Sequence, residues 1–182
     1  MKSLLHFSLI FISIFSSIQC TRHVDEKAVA ISLEGDDWGI LFDQGADILS
    51  PEFNINSLEL TSVPGNFRNL NKNYRGPIWI RKSFDITKDQ HDKTLAIQLG
   101  RIYQTDEVFI NGVLVGKGNS PFGENPQDYS FGRPRIYPIP HNLLLEGENV
   151  LVVKIDSDLS TSAGIITAPI RVLTYEEAIE GQ

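Results

Sequence analysis

Asp106-Glu107-Val108-Phe109-Ile110-Asn111-Gly112-Val113-Leu114-Val115-Gly116 sets two apolar runs on either side of an Asn-Gly pair. Asn-Gly between apolar runs is the strongest short-range signal for a two-residue type I′ hairpin. Both turn positions need φ > 0, which Asn tolerates and Gly adopts freely. The register that follows sets Ile110 against Val113, Phe109 against Leu114 and Val108 against Val115. Both faces of such a ribbon are apolar. It is therefore expected inside a sandwich, its second face covered by a loop or by the chain's own termini.

Strand signals recur outward from this hairpin. The run around Trp38 is short and aromatic, and Leu58 and Leu60 alternate with Glu59 and Thr61 up to a stop at Val63-Pro64-Gly65. Ile78, Ile80 and Phe84 share one parity, as do Leu95, Ile97 and Leu99. Ile136 to Pro140 is extended, because a residue before proline is pushed toward the β region. Asn142 to Leu145 suits one helical turn, and Asn149 to Ile155 is the most strand-like run. A last strand is expected over 164–173, at an edge or bulged because Pro169 cannot donate to a ladder. Glu176 to Glu180 reads as a frayed terminal turn. Trp38 and Trp79 are assigned to the core. No helical period exceeds a turn or two, so the fold class is an all-β sandwich, with jelly-roll topology.

The chain has 182 residues, enough for one domain with a sizeable core. Its net charge of −7 argues against a nucleic-acid partner, which calls for a basic face. The single cysteine, Cys20, rules out an internal disulfide. Lys2 followed by an apolar run from Leu4 to Ile18 reads as an export signal. Cys20 directly follows that run, where bacterial lipoproteins place their lipid-modified cysteine, although Ser17-Ile18-Gln19-Cys20 departs from the usual pattern. The expected organisation is a lipoprotein-type signal over 1–20, a tether over 21–30, the domain over 31–174 and a tail over 175–182. The protein is expected at the periplasmic or cell surface, held to the membrane only through Cys20. The alternative is ordinary cleavage near Cys20 and release as a secreted protein.

Three separated stretches, Trp79 to Phe84, Asp106 to Gly116 and Leu144 to Ile155, match one pattern in order. Together they resemble the galactose-binding-like jelly-roll domain, the sugar-binding module of family 2 glycoside hydrolases such as β-galactosidase and β-glucuronidase. Arg133 to Pro140 is similar to a stretch of sialate O-acetylesterases. Leu49 to Phe53 and Val63 to Phe67 are similar to jelly-roll ectodomains of bacterial seven-helix receptors. The resemblance spans about residues 31 to 174, and its motifs mostly make the fold. In the hydrolases this module precedes an immunoglobulin-like domain and a catalytic barrel that holds the two carboxylates. With 182 residues there is no room for that barrel, so no glycosidase activity is expected.

Acidic residues are plentiful, Asp36, Asp37, Asp106, Glu107 and Glu124 among them, but sequence neighbours do not straddle a scissile bond. His6, His23, His91 and His141 lack metal-ligand spacing. No cofactor is expected; a structural calcium ion would draw on Asp36, Asp37 and Asp156. Sugar binding needs an aromatic platform and planar polar groups. The aperiodic loop over 117–135 offers Phe122, Tyr129, Phe131, Arg133 and Arg135, with Asn119 and Asp128 for hydroxyls; Tyr103, Asn66 and Arg68 are its neighbours. For Tyr129 and Phe131 packing against the hairpin is the first expectation and ligand contact the second, since an ordered loop of this length must bury something. The expected partner is a carbohydrate or similar polar ligand. The alternative is a protein, with this chain as an accessory subunit of an envelope assembly.

Overall fold

The computed structural model describes residues 30–43, 45, 47–102, 104–118, 134–157 and 162–181. It is an all-β sandwich of two antiparallel sheets. The larger holds β2 (Gly35–Phe42), β3 (Glu59–Val63), β4 (Pro77–Ile86), β6 (Asp106–Ile110), β7 (Val113–Gly118) and β9 (Gly147–Asp156), in the order β3-β2-β4-β9-β6-β7. The smaller holds β1 (Ile31–Ser32), β5 (Leu95–Leu99), β8 (Arg135–Pro138) and β10 (Arg171–Thr174), in the order β1-β10-β5-β8. Ile78, Ile80, Phe84, Leu95, Ile97, Leu99, Val108, Ile110 and Val153 meet between the sheets, as the parities require. Trp38 joins them, fully buried, its indole N–H donating to the Leu33 carbonyl.

The Asn-Gly hairpin forms as expected, with Asn111 at φ 48° and Gly112 at φ 82°. Ile110 faces Val113 and Phe109 faces Leu114, but Val108 faces Gly116, so a bulge at Val115 shifts the register by one. The reason is Tyr137 of β8: a Cβ on Gly116 would lie 2.1 Å from its ring, and only a glycine there lets the ring in. The hairpin is also only half inside. β6 runs through the sheet, whereas β7 is its edge and leaves Val113 and Leu114 exposed.

Among the described residues, the cover for the second face comes from the segment before β3. Ile48, Leu49, Phe53 and Leu58 pack on Trp79, Val150, Val152 and Phe109, so the 47–58 segment forms a second core on the outer face of the larger sheet. Trp79 is therefore buried as expected, on the side away from Trp38. Arg81 fixes this cover from below, donating to the carbonyls of Ile48 at 2.6 Å and Ser50 at 3.0 Å.

Three local expectations are corrected. Leu60 is exposed, because β3 is an edge strand and its inward residues are Thr61 and Val63. The last strand begins after Pro169 and sits between β1 and β5, so the proline is spared a ladder position and β10 is not an edge. The terminal turn is a capped helix, α2 (Tyr175–Glu180), the second after the single turn α1 (Lys88–His91), and it is closed by a Thr174–Glu177 capping box. Its Ala178 is buried on Ala96 and Leu173, covering the outer face of the smaller sheet.

Candidate functional site

Register brings four strand ends of the larger sheet to one level: Pro77 faces Asp156, Ile155 faces Asp106, and Asp106 faces Gly118. Gly118 and Arg135 flank the 119–133 segment and lie side by side here; a Cβ on Gly118 would fall 2.9 Å from the Arg135 Nε. The candidates read from the sequence lie in the loop over 117–135, and several polar groups of the described residues gather beside its two ends.

Alternation along β6 divides them. Asp106 points between the sheets and its side chain is fully buried. It accepts a hydrogen bond from the Tyr137 hydroxyl and pairs with the Arg135 Nε at 3.2 Å. Burial pushes the Asp106 carboxyl above its ordinary value, while Tyr137 and Arg135 pull it back only in part. The Tyr137 hydroxyl is pushed up as well, first by burial and then by the neighbouring carboxylate. This cluster ties β6 and β7 to β8 across the sandwich. Gly118 is required beside it, because a Cβ there would sit 2.2 Å from the Asp106 Oδ1.

Glu107 points the other way and binds two lysines, Lys117 at 2.6 Å through Oε1 and Lys154 at 3.4 Å through Oε2. The hydrogen bond from Lys117 leads in holding the Glu107 carboxyl below its ordinary value. Lys154 also lies 5.7 Å from the Trp79 ring centre, so its stem rests on an aromatic face. At the strand ends the Thr105 hydroxyl donates to Asp156 at 2.9 Å. Thr105, Asp106, Glu107, Lys117, Gly118, Lys154 and Asp156 line one open cleft of about 220 Å³. Chemically it offers charged donors and acceptors side by side, the equipment for hydroxyl groups.

Of the sequence candidates, Arg135 stands in this cluster. Arg68 lies at the same end but is buried, and its guanidinium donates to the carbonyls of Tyr74 and Ser157. Its position corrects the expectation for that residue: it ties the 67–74 loop to the end of β9. Asn66 is likewise a scaffold residue, its side-chain oxygen accepting from the backbone of Arg68 and Ala163. Tyr103, Asn119, Phe122, Asp128, Tyr129, Phe131 and Arg133 fall outside the described residues, as does Cys20. The calcium trio is not assembled: Asp37 pairs with Lys82 while Asp156 faces Pro77, at different levels of β4. Among the described residues no group of three metal-ligating side chains occurs. His91 and His141 do meet, ring centres 4.5 Å apart, and His91 is held by the Leu144 carbonyl.

Sequence reasoning missed Thr105, Lys117 and Lys154. The available signal was Lys154, a lone charge inside the apolar run of β9, with Glu107 and Lys117 at matching positions of the hairpin.

No protein-family model matches the chain. A β-glucuronidase of Formosa agariphila is 31% identical over 85 residues, which is 47% of this chain and 8% of that protein. A second F. agariphila protein, provisionally named a β-glucuronidase, is 26% identical over 140 residues, 69% of this chain and 12% of that one. A β-glucuronidase from glycoside hydrolase family 2 superposes with a TM-score of 0.64 at 21% identity, over 80% of this chain and 17% of its own. The β-glucuronidase of Ruminococcus gnavus, solved with a uronic isofagomine, gives 0.66 at 17% identity over 82% of this chain and 30% of its own. That of Bacteroides uniformis gives 0.62 at 18% identity, over 81% and 18%. This chain thus spans about a tenth of the curated relatives and less than a third of the solved ones. Its fold is a β-sandwich that family 2 β-glucuronidases contain.

Proposed function

We propose that this chain is a non-catalytic carbohydrate-binding domain that takes its ligand at the β6–β7–β9 end of the sandwich. The observation that carries this reading is the cleft, where Lys117, Lys154, Asp156 and Thr105 set donors beside acceptors on a fold shared with β-glucuronidases. The non-catalytic part rests on the state of the acids. Hydrolysis of a glycoside needs two carboxyls on opposite sides of one bond, one of them a proton donor. Asp106 holds its proton more tightly than usual but is sealed between Tyr137 and Arg135, whereas Glu107 is locked ionised between two lysines on the other face of β6. Arg135 belongs to the same proposal through its place beside Asp106, and Tyr129, Arg133, Phe122, Asn119, Asp128 and Tyr103 belong to it from their residue types alone.

The accessory-subunit reading asks for a flat apolar sheet face. Residues 47–58 cover the larger sheet and α2 covers the smaller one, which favours the ligand reading. Export and lipid attachment at Cys20 are proposed from the leader sequence. Incorporation of a labelled fatty acid into the full chain, lost in Cys20→Ser, is the expected result.

The test of function is a thermal-shift and glycan-array screen on the full chain, run beside assays for turnover of aryl glycosides. Dose-dependent stabilisation by a sugar without turnover is expected. Turnover of any glycoside would refute the non-catalytic reading, and silence across all sugars would refute the binding reading.

A further inference from the structure

Resting on that reading, we infer that the cleft takes a single uncharged sugar residue through neighbouring hydroxyls, and discriminates against a sugar acid. The first argument is size. About 220 Å³ lies below the roughly 300–1,000 Å³ of pockets for drug-sized ligands, so one ring fits rather than an oligosaccharide.

The second argument is charge. Asp106, Glu107 and Asp156 are set against Arg135, Lys117 and Lys154, so the acids and bases around the cleft balance. Glu107 gives one carboxylate oxygen to each lysine, and Asp156 supplies the second negative charge that balances the pair. A ligand carboxylate would have to displace Glu107 from a lysine or lie against Asp156, on a chain whose net charge is −7. A hydroxyl pair displaces nothing. An ammonium has three donors, so Lys117 and Lys154 keep N–H groups to spare after binding Glu107. Asp156 accepts one bond from Thr105 and has a second oxygen with which to accept another. A diol that accepts from Lys154 and donates to Asp156 satisfies both partners at once.

The third argument is construction. Asp106 forms part of the wall with its side chain fully buried, and its Oδ1, held beside Arg135, lacks an aligned hydrogen bond. Gly118 closes over that oxygen, so tightly that a Cβ there would lie 2.2 Å from it. The wall is thus fixed from its buried side, and the groups left for a hydroxyl are those of Thr105, Lys117, Lys154 and Asp156.

The experiment is an amide-resolved titration of the full chain with methyl β-D-glucopyranoside, methyl β-D-galactopyranoside and methyl β-D-glucuronide, at low and high salt. A neutral glycoside is expected to shift residues 105–107, 117–118 and 154–156, with little dependence on salt. The glucuronide is expected to bind about tenfold or more weakly, the cost of an unsatisfied or misplaced charge. Lys154→Met keeps the stem over Trp79 and removes the donor; Asp156→Asn removes the charged acceptor. Each should weaken binding about tenfold while the melting temperature stays near the parent's, the loss of one charge-assisted hydrogen bond. Tighter, salt-sensitive binding of the glucuronide would overturn the inference and leave sugar binding intact. So would shifts by the neutral sugars at a different end of the sandwich. Absence of binding by all three would overturn the inference and remove the support for the reading beneath it.

Discussion

Asn111 shows how much of this fold hangs on single polar side chains. Its amide donates to the Leu143 carbonyl at 2.7 Å and to the Asn149 side chain at 2.9 Å, and accepts from the Val150 amide at 2.8 Å. Asn149, fully buried, carries the network on to the backbone of Leu145 and Gly147. The motif residues that resemble the glycosidase module are thus brackets between the hairpin and the entry to β9. Asn111→Ala loses these bonds and keeps a strained positive φ. A loss of about 2–4 kcal/mol in urea unfolding is expected, from the bonds left open and the left-handed backbone. Asp106 supplies a second prediction, in pH. Its carboxyl is raised in the folded chain, so the folded state binds that proton more tightly than the unfolded one. The stability it contributes is complete below the ordinary aspartate value and is lost as pH rises through the raised folded value. Asp106→Asn abolishes this titration, so the parent should lose stability relative to the variant as pH rises from acid toward neutral. Glu107 runs the other way: its carboxyl is lowered, and its contribution is lost as pH falls through the folded value. Thermal melts at stepped pH for the parent, Asp106→Asn and Glu107→Gln read both signs, and a parent that gains on Asp106→Asn as pH rises would refute the first.

At the scale of elements, the strands that the sequence made legible are those whose signal is local. Asn111-Gly112 dictated a turn by backbone conformation alone, and Ile78, Ile80, Leu95 and Ile97 declared their face by parity. What escaped is set between elements distant in the chain. The bulge at Val115 exists because Tyr137 needs the space at Gly116, a fact that neither segment contains by itself. The inward face of β3 was misjudged because Leu60 is as apolar as any core residue, and only the strand's place at the edge exposes it. Of the candidate site, the sequence offered residue types in one loop and no partners for them. Arg135 pairs with Asp106 across the sandwich, and Lys117 and Lys154 become partners of Glu107 only once β6 lies between β7 and β9. The cover over 47–58 is a third such case, and it is testable. Arg81, only 3% exposed, holds it through the Ile48 and Ser50 carbonyls. Arg81→Ala opens both carbonyls and a void beneath Phe53, which lies 5.9 Å from the guanidinium. A loss of about 2–4 kcal/mol is expected, together with faster amide exchange confined to residues 47–58 and their neighbours.

Over the whole molecule, the sandwich is a three-layer economy of cover: an inner core between the sheets, the 47–58 segment on the larger sheet and α2 on the smaller. The β1 edge, where the chain enters the fold, lies across the smaller sheet from the β8 edge, whose Tyr137 and Arg135 anchor the cleft. A chain held at its N-terminal side would thus present the cleft at the opposite edge. The same layering includes a residue beyond 174. Ala178 is fully buried, and Ala96 and Leu173 lose their cover without it. The Thr174 hydroxyl and backbone would also lose Glu177, their partner in the capping box. A chain ending at Thr174 should therefore be less stable by about 2–4 kcal/mol, the value of re-exposing one leucine and its small neighbours. It should also bind a hydrophobic dye at the uncovered sheet. Thr174→Ala in the full chain removes only the cap and should cost about 1 kcal/mol. Urea unfolding of the two side by side separates the terms. If the shortened chain matched the parent, the helix would be an ornament on the smaller sheet, and the fold would need some other source of cover for Leu173.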